Sequence, residues 1–122
     1  MKILVCEDDT IIIKAIEHKL KNEGYEIELA TDGKLAAEKI NNNEYDLILT
    51  DLLMPFFGGL EVINLVRNQL KKNTPIIVLS RLANEQTIIE AFNLGADDYI
   101  TKPFSPNELS IRVKRFLLKK SL

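Results

Sequence analysis

The sequence predicts a doubly wound α/β fold, a (βα)5 sandwich built on a parallel five-stranded sheet. Two observations predict it. Five short apolar runs recur along the chain, and each is followed by a segment whose apolar residues fall at helical spacing. Strands that alternate with helices in this way form parallel sheets covered on both faces. Size agrees, because 122 residues make one ordinary domain with enough material for a core.

The first run is Ile3-Leu4-Val5-Cys6. Residues 11–23 then carry Ile12, Ala15, Ile16 and Leu20 at helical spacing and stop at Gly24, a good residue just past a helix end. From Tyr25 to Ala30 acids and aliphatics alternate, which predicts a half-buried strand. Thr31-Asp32-Gly33 makes a turn before a helix with Leu35, Ala36 and Ile40. Leu47-Ile48-Leu49 is the third strand. After the loop from Pro55 to Gly59 comes a helix with Leu60, Val62, Ile63, Val66 and Leu70. Ile76-Ile77-Val78-Leu79 is the fourth strand. Ile88, Ile89, Ala91, Phe92 and Leu94 mark the fourth helix, closed by Gly95. Tyr99-Ile100 is a short fifth strand, and Pro106 opens a last helix with Leu109, Val113, Phe116 and Leu117. Runs one, three and four are continuously apolar, as interior strands should be, whereas run two alternates and run five is short. That pattern fits the order 2-1-3-4-5, the flavodoxin-like arrangement.

Composition excludes several classes. With 46% hydrophobic and 28% charged residues, the chain is not disordered. A net charge of −2 argues against a general nucleic-acid surface. Cys6 is the only cysteine, so no internal disulfide forms, and a reducing cytoplasmic setting suits it. No apolar run approaches the roughly 20 residues that span a membrane. The N-terminal run meets Glu7 at once and reads as a strand, not as a signal peptide. Low-complexity and linker-like stretches are absent, so residues 1–122 are expected to form a single domain.

In such sheets the ligand crevice lies beyond the carboxyl ends of the strands. Run one ends in Glu7-Asp8-Asp9, run three in Thr50-Asp51, run four in Ser80 and run five in Thr101-Lys102. Run two ends in Ala30-Thr31 and contributes no charge. Carboxylates, a hydroxyl and an ammonium therefore converge on one rim. Clustered carboxylates repel unless cations join them. Lys102 supplies one positive charge, and a hard divalent cation such as Mg²⁺ is the natural second. Metal and lysine together suit an anion with several oxygens, and a phosphoryl group fits. A carboxylate can itself be the nucleophile and form an aspartyl phosphate.

Plainer roles fit other residues. Asp9 or Thr10 is expected to cap the first helix. Ser80 could simply make a turn bond, and Tyr99 could be an edge-strand aromatic. His18 lies off the apolar stripe, and Cys6 reads as a small buried hydrophobe. Arg112, Lys114, Arg115, Lys119 and Lys120 read as the wet face of the last helix.

The strings Ile-Leu-Val-Cys-Glu-Asp-Asp, Asp-Leu-Ile-Leu-Thr-Asp-Leu-Leu-Met-Pro, Ile-Ile-Val-Leu-Ser and Gly-Ala-Asp-Asp-Tyr-Ile-Thr-Lys-Pro-Phe resemble response-regulator receiver domains of two-component signalling systems. Receivers of winged-helix, DNA-binding regulators are the most similar, and the resemblance covers essentially the whole chain. It implies that Asp51 is the phosphoacceptor and that Asp8 binds Mg²⁺ directly, with help from Glu7 and the backbone carbonyl of Leu53. It implies that Lys102 pairs with the phosphoryl oxygens across a cis Lys102-Pro103 bond. Ser80 would donate its hydroxyl to the phosphoryl group, and Tyr99 would turn inward as Ser80 moves.

Family likeness also implies a partner, a sensor histidine kinase or a histidine phosphotransfer protein. The output surface would be the fourth helix, fifth strand and fifth helix, including Ile88, Asp98, Tyr99, Glu108 and Arg112. It would support a phosphorylation-linked homodimer, with DNA reached only through an output domain outside this chain. A stand-alone receiver signalling by protein contact is the alternative. Such a domain assists only its own phosphorylation and dephosphorylation, so it is not an enzyme in the ordinary sense. An aspartyl-phosphate hydrolase would want an acid where Leu53 stands, and a flavin or nucleotide binder would want a Gly- or Ser/Thr-rich loop where Glu7-Asp8-Asp9 stands. Three positions depart from the family pattern. Arg81 replaces a small residue, the loop after Asp51 reads Phe56-Phe57-Gly58-Gly59, and Ile88 and Ile89 occupy the fourth helix where a basic residue is usual.

Overall fold

The computed structural model describes the backbone of residues 1–121 and side chains through Lys119. Five strands, β1 (Lys2–Cys6), β2 (Glu26–Ala30), β3 (Leu47–Asp51), β4 (Ile76–Ser80) and β5 (Asp98–Thr101), form one parallel sheet. The strand order is β2-β1-β3-β4-β5, as the sequence predicts. Five helices connect and follow them: α1 (Thr10–Asn22), α2 (Gly33–Asn42), α3 (Gly59–Asn64), α4 (Glu85–Leu94) and α5 (Pro106–Ser121).

The interior strands are apolar at every position because both faces are covered. Side chains alternate across the pleat. Ile3, Val5, Leu47, Leu49, Ile77 and Leu79 therefore pack against α1 and α5 with Ile16, Leu20, Leu109 and Val113. Leu4, Cys6, Ile48, Ile76 and Val78 face the other way and pack against α2, α3 and α4 with Ala36, Ile40, Val62, Ile63 and Ala91. Cys6 is fully buried, and the loss of water pushes its thiol up to about 12, so it is an inert hydrophobe.

Local signals set the helix ends. Asp9 caps α1, accepting the Ile11 and Ile12 N–H groups at 2.9 and 3.3 Å. Asp32 caps α2 through the Leu35 N–H. Gly24 and Gly95 adopt φ of +93° and +120° after α1 and α4, a conformation that favours glycine.

Three expectations need correction. In α1, Ile13 is buried beside Ile16 and Leu20 and Ala15 faces out, while Ile12 is half-buried and packs against the core cluster under α1 and α5. In α4, Ile89 and Phe92 are exposed, and Ile88 is the half-buried one that packs on the core. Only Ala91 of α4 is fully buried, because a small residue lets the helix lie close to the sheet. The helix expected from Leu60 to Leu70 is α3 followed by a π-helical turn, Leu65–Gln69, closed by the Leu70 N–H on the Leu65 carbonyl. The wider turn keeps Leu65 and Val66 buried while Arg67 reaches Gly95 and Asp97.

Candidate functional site

All four charged or hydroxyl-bearing strand ends arrive at the carboxyl edge, as the topology requires. β1 delivers Glu7, β3 ends in Asp51, β4 ends in Ser80, and β5 leads to Lys102. A cleft there is lined by Glu7, Asp8, Asp9, Asp51, Leu53, Arg81 and Lys102. Lys102 is the hub. Its Nζ donates to Glu7 Oε1 at 2.5 Å and to Asp51 Oδ2 at 2.9 Å. The Lys102-Pro103 peptide is cis, as expected.

The remaining oxygens are also held. Glu7 Oε2 accepts the Asp8 and Asp9 N–H groups at 3.1 and 3.3 Å, and Asp51 Oδ1 accepts the Leu53 N–H at 3.2 Å. Glu7 is 1% exposed, and its burial, with Asp51 close by, raises its carboxyl above the ordinary range despite the Lys102 bond. Burial opposes the charge on Lys102, but its bonds to Glu7 and Asp51 outweigh that and hold the ammonium above its ordinary value. One lysine thus serves two buried acids. Asp8, by contrast, is exposed at the mouth.

One carboxylate oxygen each from Glu7, Asp8 and Asp51 lies within 4.8 Å of the others. Three anionic oxygens this close, with one ammonium among them, suit a hard divalent cation with oxygen ligands. The donor set therefore fits Mg²⁺. The loop after Asp51 closes on Gly59, where an added Cβ would stand 2.3 Å from the Asp51 carbonyl oxygen. Only glycine lets α3 start this near the site.

Ser80 and Tyr99 are brought together through a residue that the sequence does not single out. Ser80 Oγ accepts the Leu82 N–H at 3.0 Å, the turn bond considered for it, and the Tyr99 hydroxyl donates to the Leu82 carbonyl. Tyr99 is buried and belongs to the core cluster on the α2, α3 and α4 side of the sheet. Leu82 could have been found only from its spacing, two residues after a strand-end serine. Ser80 does not line the cleft, whereas the next residue, Arg81, does. Phe56 is 83% exposed at the loop tip with φ of +72°. Asp98 and Arg112 pair within the chain at 2.8 Å, and Arg112 also reaches Glu108. His18 is exposed and lies within reach of Asn22. Of the basic residues on α5, Arg112 and Arg115 hold Asp98 and Lys114 holds Glu23, so much of that face is paired; the Lys120 side chain lies outside the described residues. Among the described residues, no helix is long and apolar enough to cross a membrane.

The geometry agrees with known proteins. A family model described as the response regulator receiver domain matches residues 3–114. The chain is 43% identical over 120 residues to the transcriptional regulatory protein ResD of Bacillus subtilis, covering 98% of this chain and 49% of that protein. It is 38% identical over 121 residues to the alkaline phosphatase synthesis transcriptional regulatory protein PhoP of the same organism, covering 99% of this chain and 50% of that one. It thus spans about half the length of these relatives. Among solved structures, the Francisella response regulator 1452 receiver domain superposes with a TM-score of 0.92 at 41% identity, with 98% of each chain covered. Five strands in the order 2-1-3-4-5, an acidic rim bridged by a single lysine, and these likenesses converge: the chain belongs to the response regulator receiver domain family.

Proposed function

We propose that Asp51 accepts a phosphoryl group from a phosphohistidine on a sensor histidine kinase or a histidine phosphotransfer protein. The observation that carries this reading is Lys102 reaching both Asp51 and Glu7 inside a cleft whose mouth is acidic. Asp51 Oδ2 points at Lys102, so an oxygen of a group added there would meet the ammonium. In the transfer, an Asp51 oxygen forms a bond to phosphorus as the donor's phosphorus–nitrogen bond breaks, and the electron pair leaves on the imidazole. Glu7, Asp8, Asp51 and the Leu53 carbonyl would hold Mg²⁺, which supplies charge neutralisation for the phosphoryl oxygens when bound. Lys102 offsets charge on the same oxygens and orients Asp51. Glu7, fixed by the Asp8 and Asp9 N–H groups, keeps Lys102 aimed.

Readout would run through Ser80. Turning its hydroxyl to the phosphoryl group breaks its bond to the Leu82 N–H, and Leu82 also holds the Tyr99 hydroxyl. A local charge change thereby reaches the start of α4 and β5. That face carries the exposed Ile89 and Phe92 and the Asp98–Arg112 pair, and it is the surface proposed for a phosphorylation-linked homodimer. Ile89, not Ile88, supplies its apolar contact. A DNA-binding output domain outside this chain would complete a cytoplasmic transcriptional regulator.

Intact mass after incubation with acetyl phosphate and Mg²⁺ tests the phosphoacceptor. One phosphoryl group should be added, none without Mg²⁺, and none to Asp51→Asn. Addition that survives Asp51→Asn defeats the assignment. Sedimentation of the phosphorylated form tests the dimer, and a species that stays monomeric at high concentration defeats that part alone.

A further inference from the structure

Arg81 follows the last residue of β4 and lines the acidic cleft with Glu7, Asp8 and Asp51. It also lines an adjoining apolar cleft with Ile12, Phe104 and Lys102, so it stands on the divide between the two. Among the described residues, Arg67, Arg112 and Arg115 each hold an acid, whereas Arg81 makes no hydrogen bond or ion pair. An unpaired guanidinium beside three carboxylates invites an explanation. Each of those carboxylates already has a role: Glu7 and Asp51 hold Lys102, and Asp8 faces the mouth.

Charge supplies that explanation. Before transfer, the charges of Glu7, Asp8 and Asp51 are matched by Lys102 and a divalent cation, while Asp9, also in the cleft wall, is engaged by the Ile11 and Ile12 N–H groups at the start of α1. After transfer, the Asp51 carboxylate has become an ester-like acyl group without charge, but its phosphoryl group carries about −2 at pH 7. The same two cations then leave roughly one negative charge uncompensated. Arg81 is the free cation within the cleft wall that can supply the difference. A guanidinium also matches phosphoryl oxygens with a planar, two-pronged donor set that an ammonium lacks. We propose that Arg81 is a ligand of the phosphoryl group, swinging from its unpaired position onto the oxygens of phosphorylated Asp51. This rests on the phosphoacceptor reading of Asp51. It makes Arg81 a second basic anchor beside Lys102, drawn in by the charge that transfer adds.

The test uses beryllium trifluoride, a tetrahedral mimic of an aspartyl phosphate, titrated into the Mg²⁺-loaded protein and followed by fluorine NMR. Arg81→Ala should weaken its binding about five- to tenfold. Arg81→Lys should fall between, keeping the charge but losing the fork. Mg²⁺ affinity measured alone should not fall in Arg81→Ala, because a neighbouring cation has been removed. Equal beryllium trifluoride affinity in the wild type and Arg81→Ala overturns the role of Arg81 and leaves the phosphoacceptor standing. A loss matched by an equal loss of Mg²⁺ affinity also overturns it, since Arg81 would then act on the cleft as a whole. A wild type that binds no beryllium trifluoride overturns both readings together.

Discussion

At the amino end of the sheet, Asp97 and Glu23 each have partners of their own. Arg67 on the π-helical turn donates to the Gly95 and Lys72 carbonyls at 3.0 and 2.9 Å and to Asp97 at 2.7 Å, and Asp97 in turn accepts the Ile76 N–H at the start of β4. Glu23, just past α1, accepts from Ser110 of α5. At the carboxyl end, Glu7 and Asp51 share Lys102, and Asp8 waits exposed at the mouth. Asp97 and Glu23 are matched by donors that hold elements together. The carboxyl end brings Glu7, Asp8, Asp9 and Asp51 together with Lys102 and Arg81, an excess of carboxylates that suits a divalent cation.

Removing the lysine should break the carboxyl end most severely. Lys102→Met leaves Glu7 buried without its counter-charge, and stability at pH 7 without metal should fall by roughly 3 kcal/mol in urea unfolding. Arg67→Met should cost about 2 kcal/mol, since two carbonyls and the Asp97 carboxylate lose donors together. The phosphorylation rates of these two variants separate the ends. Arg67→Met should keep Mg²⁺-dependent phosphorylation, and Lys102→Met should lose most of it. A large loss in Arg67→Met would mean that the latch on α4 and the acidic rim are energetically joined. Neutralising the proposed acceptor should have the opposite sign. Asp51→Asn removes a charge that repels Glu7 while Lys102 keeps its Glu7 bond, so the metal-free protein should gain about 1 kcal/mol. Added Mg²⁺ should then raise the melting temperature of the wild type more than that of Asp51→Asn.

What the sequence made legible follows the same division. The carboxyl rim could be read because each of its residues directly follows an apolar run, and a change from apolar to polar is a local signal. Asp9 as a cap, Gly24 and Gly95 as helix ends, and the edge positions of β2 and β5 were local signals too. The Arg67 latch was not legible. Its partners Gly95 and Asp97 lie 28 and 30 residues away, and the π turn that aims it leaves no mark in apolar spacing. Ile88 and Ile89 both fit a helical stripe, and only packing on the sheet shows which faces in. The bond from the Tyr99 hydroxyl to the Leu82 carbonyl is not legible either, because no side-chain pattern reveals a backbone acceptor.

The gentlest test of the amino end uses Glu23. Ser110 Oγ lies 2.7 Å from both of its carboxylate oxygens, with Lys114 and Lys19 at 3.4 and 3.8 Å. The Ser110 bond first, and then Lys114, hold its carboxyl below the ordinary value of 4.5 despite some burial. A depressed carboxyl contributes stability above the unfolded-state value and loses it as pH falls through the folded-state value. Glu23→Gln keeps an acceptor for Ser110 but gives up the charge. It should therefore cost only about 0.5–1 kcal/mol at pH 7, because the site is partly exposed to screening water. The difference between variant and wild type should shrink below about pH 4 as the wild-type carboxylate takes up its proton. Urea unfolding at a series of pH values measures it. A difference that stays constant from pH 7 to pH 3 would mean that Glu23 joins α1 to α5 by shape and hydrogen bonding alone, and that its charge is not what stabilises the amino end.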